Sequence, residues 1–340
     1  MKLSDLVPGQ WIATRSISWV AGAFGLGAAV VLFMHHNPLR VFSLVACAGF
    51  GLLWLLPVRL LVLSLNAQGW RVLFPPEVRI SPRLLVEAAF IRSAINTLLP
   101  VAHIGGEVVA GQFLRKKGIK VSHAVASIVV ETTVTLFVQM GFVFLGLVFL
   151  LSYVDSTSLV HGLFAGLLIA FPLALVFVFL QQNSGLFARI QGLYTRFAGG
   201  AFVEAAQGAS VDAEIVRLYR KPGPLLLCAF WQGLSMLGGA LELWVILTLL
   251  HERAGWRLPL LLETLIQAMQ SAAFMVPGTL GIQEGGLIAM GSVAGFSPEV
   301  ALAVSLIRRV RQAAISLPVL LLWVYGNARS AQDGFAARRS

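Results

Sequence analysis

At 340 residues, with 58% of them hydrophobic and only 12% charged, the chain is far more apolar than a soluble domain, whose usual shares are roughly 45 to 50% and about 25%. That balance excludes a soluble globular protein and reads as an all-α polytopic membrane protein. The net charge of +10 raises nucleic acid as a partner, but the placement of the basic residues, given below, argues for a membrane and against nucleic acid.

In chain order, the first expected span is about 17–34. It follows a short basic leader with Lys2 and Arg15 and no obvious small-residue cleavage site, so it reads as a retained anchor. Gly22, Ala23, Gly25 and Gly27 offer it a small face for close helix packing. A second span is expected over 41–65, with Pro57 and Arg59 near its cytoplasmic end, where Arg59 is expected to snorkel. Two apolar pieces follow, 84–99 and 101–114, broken at Pro100-Val-Ala-His-Ile-Gly-Gly106. The shorter reaches only about 21 Å against a hydrocarbon core of about 30 Å, so the pair reads as a re-entrant hairpin. Spans over 121–151 and 159–180 come next, then a basic loop over about 181–222. In that loop Leu186, Ile190, Leu193, Tyr194 and Phe197 form one face and Arg189 and Arg196 another. It reads either as an amphipathic surface helix or as a solvated linker. A fifth span over 223–250 precedes a second short pair, 259–276 and 278–291, broken at Pro277-Gly-Thr-Leu-Gly281, and a sixth span over 299–326.

The two hairpins belong to an internal duplication. Pro100, Glu107 and Gly118 recur 177 residues later as Pro277, Glu284 and Gly295, and Ala124 and Ala126 recur as Ala301 and Ala303. Glu131, Thr135 and Gln139 align with Arg308, Gln312 and Ser316, each set a polar stripe with a step of four on one helix face. Repeat 1 is about 84–180 and repeat 2 about 259–326, within one integral membrane domain over 1–340. Three full crossings separate the hairpins, an odd number, so the second copy enters from the opposite face and the repeat is inverted. With both termini cytoplasmic, 17 of the 25 Lys and Arg lie inside, 3 outside (Arg40, Arg253, Arg257) and 5 within hydrophobic segments (Arg59, Arg92, Arg308, Arg309, Arg311). This is a positive-inside bias. Paired, Pro/Gly-interrupted hydrophobic segments point to a transport site.

Candidate site residues are the polar groups in these segments. Charge in hydrocarbon is costly and tends to face a cavity or a partner. Arg308, Arg309 and Arg311 read as a basic patch for an anionic headgroup, or as a structural network with Glu131, the repeat mate of Arg308. Glu107 and Glu284 sit in the first turn of each second hairpin piece, where they either cap the helix locally or help form a polar substrate or proton site. Arg92 and Asn96 face the first break, and either contact substrate or satisfy backbone groups freed there. Pro100, Gly105, Gly106, Pro277, Gly278 and Gly281 are the expected hinges. His103 is alone, with no second His to share a metal. Cys47 and Cys228 both fall in apolar segments, so no disulfide framework, metal or other cofactor is expected. Neither a P-loop, an H-E-x-x-H helix nor a G-x-S-x-G elbow is present, and no catalytic residue or enzymatic activity is expected.

Arg92-Ser-Ala-Ile-Asn-Thr-Leu-Leu-Pro100, His103-Ile-Gly-Gly-Glu107 and Val276-Pro-Gly-Thr-Leu-Gly-Ile-Gln-Glu284 resemble the transmembrane region of lysylphosphatidylglycerol synthases over about residues 15–330. The resemblance implies a lipid flippase fold acting on aminoacylated phosphatidylglycerol or a related polar lipid. Bifunctional members carry a soluble aminoacyl-transferase domain after the membrane part, and nothing here supports synthesis of lysyl-lipid. The chain also resembles, in size and organisation, a stand-alone subgroup associated with hopanoid biosynthesis. The expected function is translocation of a polar or anionic membrane lipid, hopanoid-related or not, between leaflets of the bacterial inner membrane. The alternatives are a non-transporting scaffold that partners lipid-biosynthetic enzymes, and an integral-membrane transferase, for which the sequence shows only dispersed carboxylates.

Overall fold

The computed structural model describes residues 27–98, 105–150, 157–183, 208–252, 254–272, 281–293 and 295–336, and every regular element among them is helical. After a helical stretch at 27–35, the helices are α1 Pro38–Ala48, α2 Leu55–Arg71, α3 Pro82–Leu98, α4 Gly105–Lys116, α5 Val121–Leu150, α6 Thr157–Asn183, α7 Gly208–Tyr219, α8 Pro222–Leu249, α9 Arg257–Ala272, α10 Ile282–Val293 and α11 Pro298–Ala336. A 3₁₀ turn, Gly49–Trp54, joins α1 to α2 without a break.

Three stretches are long and apolar enough to cross a membrane: Pro38–Arg71, Val121–Leu150 and Pro222–Leu249, of 34, 30 and 28 residues. At 1.5 Å per residue even the last is about 42 Å long, beyond the hydrocarbon core of about 30 Å. These match three of the six expected spans. The expected sixth lies within α11, a continuous 39-residue helix that carries Pro318; its arginine-bearing polar stripe keeps it out of a purely apolar count. Large apolar side chains stand exposed along the spans, among them Phe50, Trp54, Phe230 and Leu321. A hydrocarbon surround removes the cost of that exposure.

One segment differs from expectation. The expected 181–222 loop contains a helix, α7, whose apolar Val211, Ile215 and Leu218 are buried beneath α5 and α8; the amphipathic stretch at 186–197 falls outside the described residues. Outside them too lie Gly22, Ala23, Gly25, the break residues Pro100, His103, Pro277 and Gly278, and most of the first expected span.

The duplicated punctuation has a structural counterpart. Gly118 and Gly295 both adopt positive φ, 86° and 82°, the conformation glycine takes most readily at a helix C-terminus. Around them the hydrogen bonds correspond one for one: Gly118 N to Arg115 O and Ile119 N to Leu114 O, then Gly295 N to Ser292 O and Phe296 N to Gly291 O. Packing corresponds as well. In each copy the second short helix lies on its own long helix, α4 on α5 and α10 on α11. The first short helix lies on the long helix of the other copy, α3 on α11 and α9 on α5. Helices α2 and α8 pack along one another and bind the copies together.

Candidate functional site

Small residues bring α2 and α8 close. A Cβ at Gly69 would lie 3.2 Å from Trp231. This contact delivers the polar residues of both helices to the same interior. There, two groups of buried charge occupy two levels of the bundle.

The first centres on Arg92 of α3. Its guanidinium holds Glu131 of α5 through both nitrogens, at 2.7 and 3.3 Å, reaches Glu107 of α4 at 3.3 Å, and donates to Asn66 Oδ1 of α2 at 2.8 Å. It also lies over the Trp70 ring, 5.0 Å from the centroid. Gln232 of α8 donates to Glu131 at 2.7 Å and accepts from Asn66 at 2.8 Å. Trp70 is anchored in turn by Ser127, 3.0 Å away. One cation therefore faces two carboxylates. Asn96, one turn along from Arg92, accepts a hydrogen bond from Gly106 N at 2.8 Å, so it satisfies the open start of α4. Gly106 is required there, because a Cβ would stand 2.5 Å from the Arg92 carbonyl oxygen.

The second level gathers the arginines of α11. Arg308 donates to Glu263 of α9 at 2.7 Å, and Arg309 to Glu284 of α10 at 2.7 Å, while Arg311 pairs with Glu242 of α8. Glu284 also accepts from Ser305 at 2.9 Å and from Gly281 N at 2.8 Å, which makes it a helix cap and an ion-pair partner together. Arg59 of α2 lies in the field of Glu242, Glu263 and Arg308. It is twelve residues before Arg71, the end of α2, or about 18 Å. It stands among these charges and not at the end of α2, the expected place for snorkelling. The alternative network of Arg308 with Glu131 is also corrected: each takes its partner from its own copy, Arg308 pairing with Glu263 of α9 and Glu131 with Arg92 of α3.

Helix rise sets the spacing of the levels. Asn66 and Arg59 are seven residues apart on α2, and Gln232 and Glu242 ten apart on α8, which gives about 10 to 15 Å. The α5 stripe runs between them. The Thr135 hydroxyl sits 3.5 Å from Glu131 at one end, and at the other Gln139 donates to the Gln267 carbonyl at 2.9 Å, while Gln267 donates to Glu263 at 2.9 Å. The α11 stripe crosses the other way, with Gln312 donating to Thr97 of α3 at 3.0 Å. Each long helix thus hydrogen-bonds to the first short helix of the opposite copy.

Of the expected site residues, Arg92, Asn96, Glu107 and Glu131 come together at the first level and Glu284, Arg308, Arg309 and Arg311 at the second. Glu242, Glu263, Arg59, Asn66 and Gln232 complete the levels and were missed as site residues. Glu242 and Glu263 are legible in the sequence as the lone carboxylates of the apolar segments 223–250 and 259–276. A groove of about 500 Å³ lies apart from both levels, between α3 and α11, walled by Phe90, Val319, Leu322 and Trp323 with Arg83 and Glu87 among its lining. Among the described residues no group of three His, Cys, Asp or Glu is placed to hold a metal ion.

A family model for the lysylphosphatidylglycerol synthase transmembrane region matches residues 18–319. The chain belongs to that family. The lysylphosphatidylglycerol synthase transmembrane region is a membrane-domain family associated with lipid flippase-type function, and both charged levels fall inside the matched residues. No curated protein and no solved structure is matched by the chain.

Proposed function

We propose that this protein moves a polar or anionic lipid between the leaflets of the bacterial inner membrane, without enzymatic chemistry. The observation that carries the reading is the pair of buried ion levels joined by the Glu131, Thr135, Gln139 stripe, a polar route of about 12 Å along α5. A headgroup exchanging ion-pair partners along that stripe never faces bare hydrocarbon, while its tails stay in lipid. The groove of about 500 Å³ between α3 and α11, lined mostly by apolar side chains, takes the acyl chain in this reading. In this reading α3–α4 and α9–α10 are the re-entrant hairpins of an inverted repeat, both termini are cytoplasmic, and Arg92, Asn96, Glu107, Glu131, Glu284, Arg308, Arg309 and Arg311 contact or balance the headgroup. Pro100, Gly105, Gly106, Pro277, Gly278 and Gly281 are the hinges. A hopanoid-linked lipid is one substrate consistent with such a route.

The test is leaflet exchange in liposomes with headgroup-labelled phospholipids and a reductant that quenches the outer leaflet. Protein-dependent loss of the protected signal, abolished in a folded Arg308→Ala variant, is the expected result. Absence of exchange across anionic, zwitterionic and hopanoid-like lipids refutes translocation.

One observation favours a second reading. Most of the buried charges already hold a partner of opposite sign, as they would in a scaffold whose ion pairs merely lock the bundle and whose surface gathers lipid-biosynthetic enzymes. That reading expects neutral replacement of whole pairs to leave function intact.

A further inference from the structure

We infer that Arg59, Arg311 and Glu242 form a headgroup subsite for a phosphate that carries a hydrogen-bond donor. It deepens the translocation reading and rests on it. The second level holds four guanidiniums, Arg59, Arg308, Arg309 and Arg311, against three carboxylates, Glu242, Glu263 and Glu284, so one positive charge is uncompensated there. The surplus falls on a specific residue. Arg308, Arg309 and Arg311 each hold a carboxylate, whereas Arg59 makes no hydrogen bond or ion pair among the described residues although it lies among Glu242, Glu263 and Arg308.

Two further groups beside it are unsatisfied. Glu242, only 1% exposed, pairs with Arg311 through one oxygen and leaves Oε1 without a partner, and Arg311, 6% exposed, leaves Nε without one. Buried polar atoms in native structures are nearly always hydrogen-bonded, and each exception calls for a reason. Here two of the exceptions, the Glu242 acceptor and the Arg311 donor, lie on the two partners of one ion pair, while the third, Arg309 Nη2, stays 2.6 Å from Glu284. Guanidinium donors suit phosphate oxygens, and a free carboxylate oxygen suits a hydroxyl or ammonium on the same headgroup. A ligand of that chemistry neutralises the surplus charge and satisfies Arg59, Glu242 and Arg311 at once. The mutual alternative, Arg59 turning to Glu242 Oε1, leaves Arg311 Nε bare.

The full-length protein in detergent would be titrated with dioctanoyl phosphatidylglycerol, dioctanoyl phosphatidic acid and dioctanoylglycerol, which share their chains and differ in the headgroup. Wild type should prefer both phosphate lipids to dioctanoylglycerol. Arg59→Gln should weaken both by at least about tenfold, the loss of one charge-assisted hydrogen bond, with dioctanoylglycerol unchanged, and Arg59→Lys should be intermediate. Glu242→Gln should weaken phosphatidylglycerol more than phosphatidic acid, which lacks the glycerol hydroxyls. The double variant Arg59→Gln/Glu242→Gln removes both charges, should melt near wild type if the single variants do not fold, and should still lose the phosphate preference. The subsite is overturned if wild type shows no such preference, or if folded Arg59→Gln or the double variant keeps it. Leaflet exchange run on the same samples separates the two proposals: exchange by wild type and Arg59→Gln alike removes the subsite alone, whereas Arg59-dependent binding without exchange removes translocation alone.

Discussion

Arg308 and Glu263 allow the structural and functional readings of the buried charge to be told apart by replacing them singly and together with Met. Their charged atoms are 2.7 Å apart and the side chains are 10% and 3% exposed, so neither is screened by water. Removing one partner of such a pair strands the other in a low-dielectric interior, at a cost of about 3 to 5 kcal/mol, while replacing both by apolar groups of similar volume is often neutral. Arg308→Met and Glu263→Met should each lose about that much. The double variant should recover nearly all of it, so the two losses cancel rather than add, a coupling of about 6 kcal/mol or more in the mutant cycle. Reversible unfolding in mixed micelles gives the stabilities, and the liposome exchange assay run on the same preparations gives the function. If Arg308 meets the headgroup, the double variant is stable and inactive. A double variant that is stable and exchanges lipid at the wild-type rate would refute the assignment of Arg308 and support the scaffold. Single variants as stable as wild type would refute the burial reasoning itself.

Two other predictions concern local structure. Gly106→Ala should destabilise by about 1 to 3 kcal/mol, since the new Cβ meets the Arg92 carbonyl and the Asn96 side chain; Gly141→Ala on α5, where a Cβ meets nothing within 4 Å, should be neutral or stabilising by up to about 1 kcal/mol. Thermal unfolding of both variants in one detergent checks the contrast. At α7, burial raises the affinity of Glu214 for a proton, but its hydrogen bonds from Arg217 and His123 outweigh this and hold its carboxyl below the usual range. A lowered folded value means that the stabilisation is full above the unfolded value of about 4.3 and is lost as pH falls through the folded one. The melting difference between wild type and Glu214→Gln should therefore be flat from pH 8 to about 5.5 and shrink in more acidic buffer. A difference that grows on acidification would show the sign to be wrong.

Much of this arrangement is legible without coordinates. The composition specifies a membrane protein. The step of four at Glu131, Thr135 and Gln139 specifies a polar helix face, and the matched glycines at 118 and 295 mark equivalent helix ends. The same stripe does not reveal what it faces. Arg308 and Glu131 are repeat mates of opposite charge, which makes them natural partners on paper, yet the first short helix of each copy packs on the long helix of the other and separates them. Arg59 reads as an end-of-helix residue only while α2 is taken to stop near residue 65; the helix runs to Arg71 and sets Arg59 among Glu242, Glu263 and Arg308.

The sequence by itself determined the membrane class, the long apolar helices, the recurring punctuation and which apolar segments carry charge, because each is a property of composition or of spacing along one chain. Only the tertiary structure decided which carboxylate meets which guanidinium. Those pairings depend on contacts between residues as much as 69 positions apart in the ion pairs and 215 in the hydrogen bonds, and a local period carries no information about the helix lying opposite.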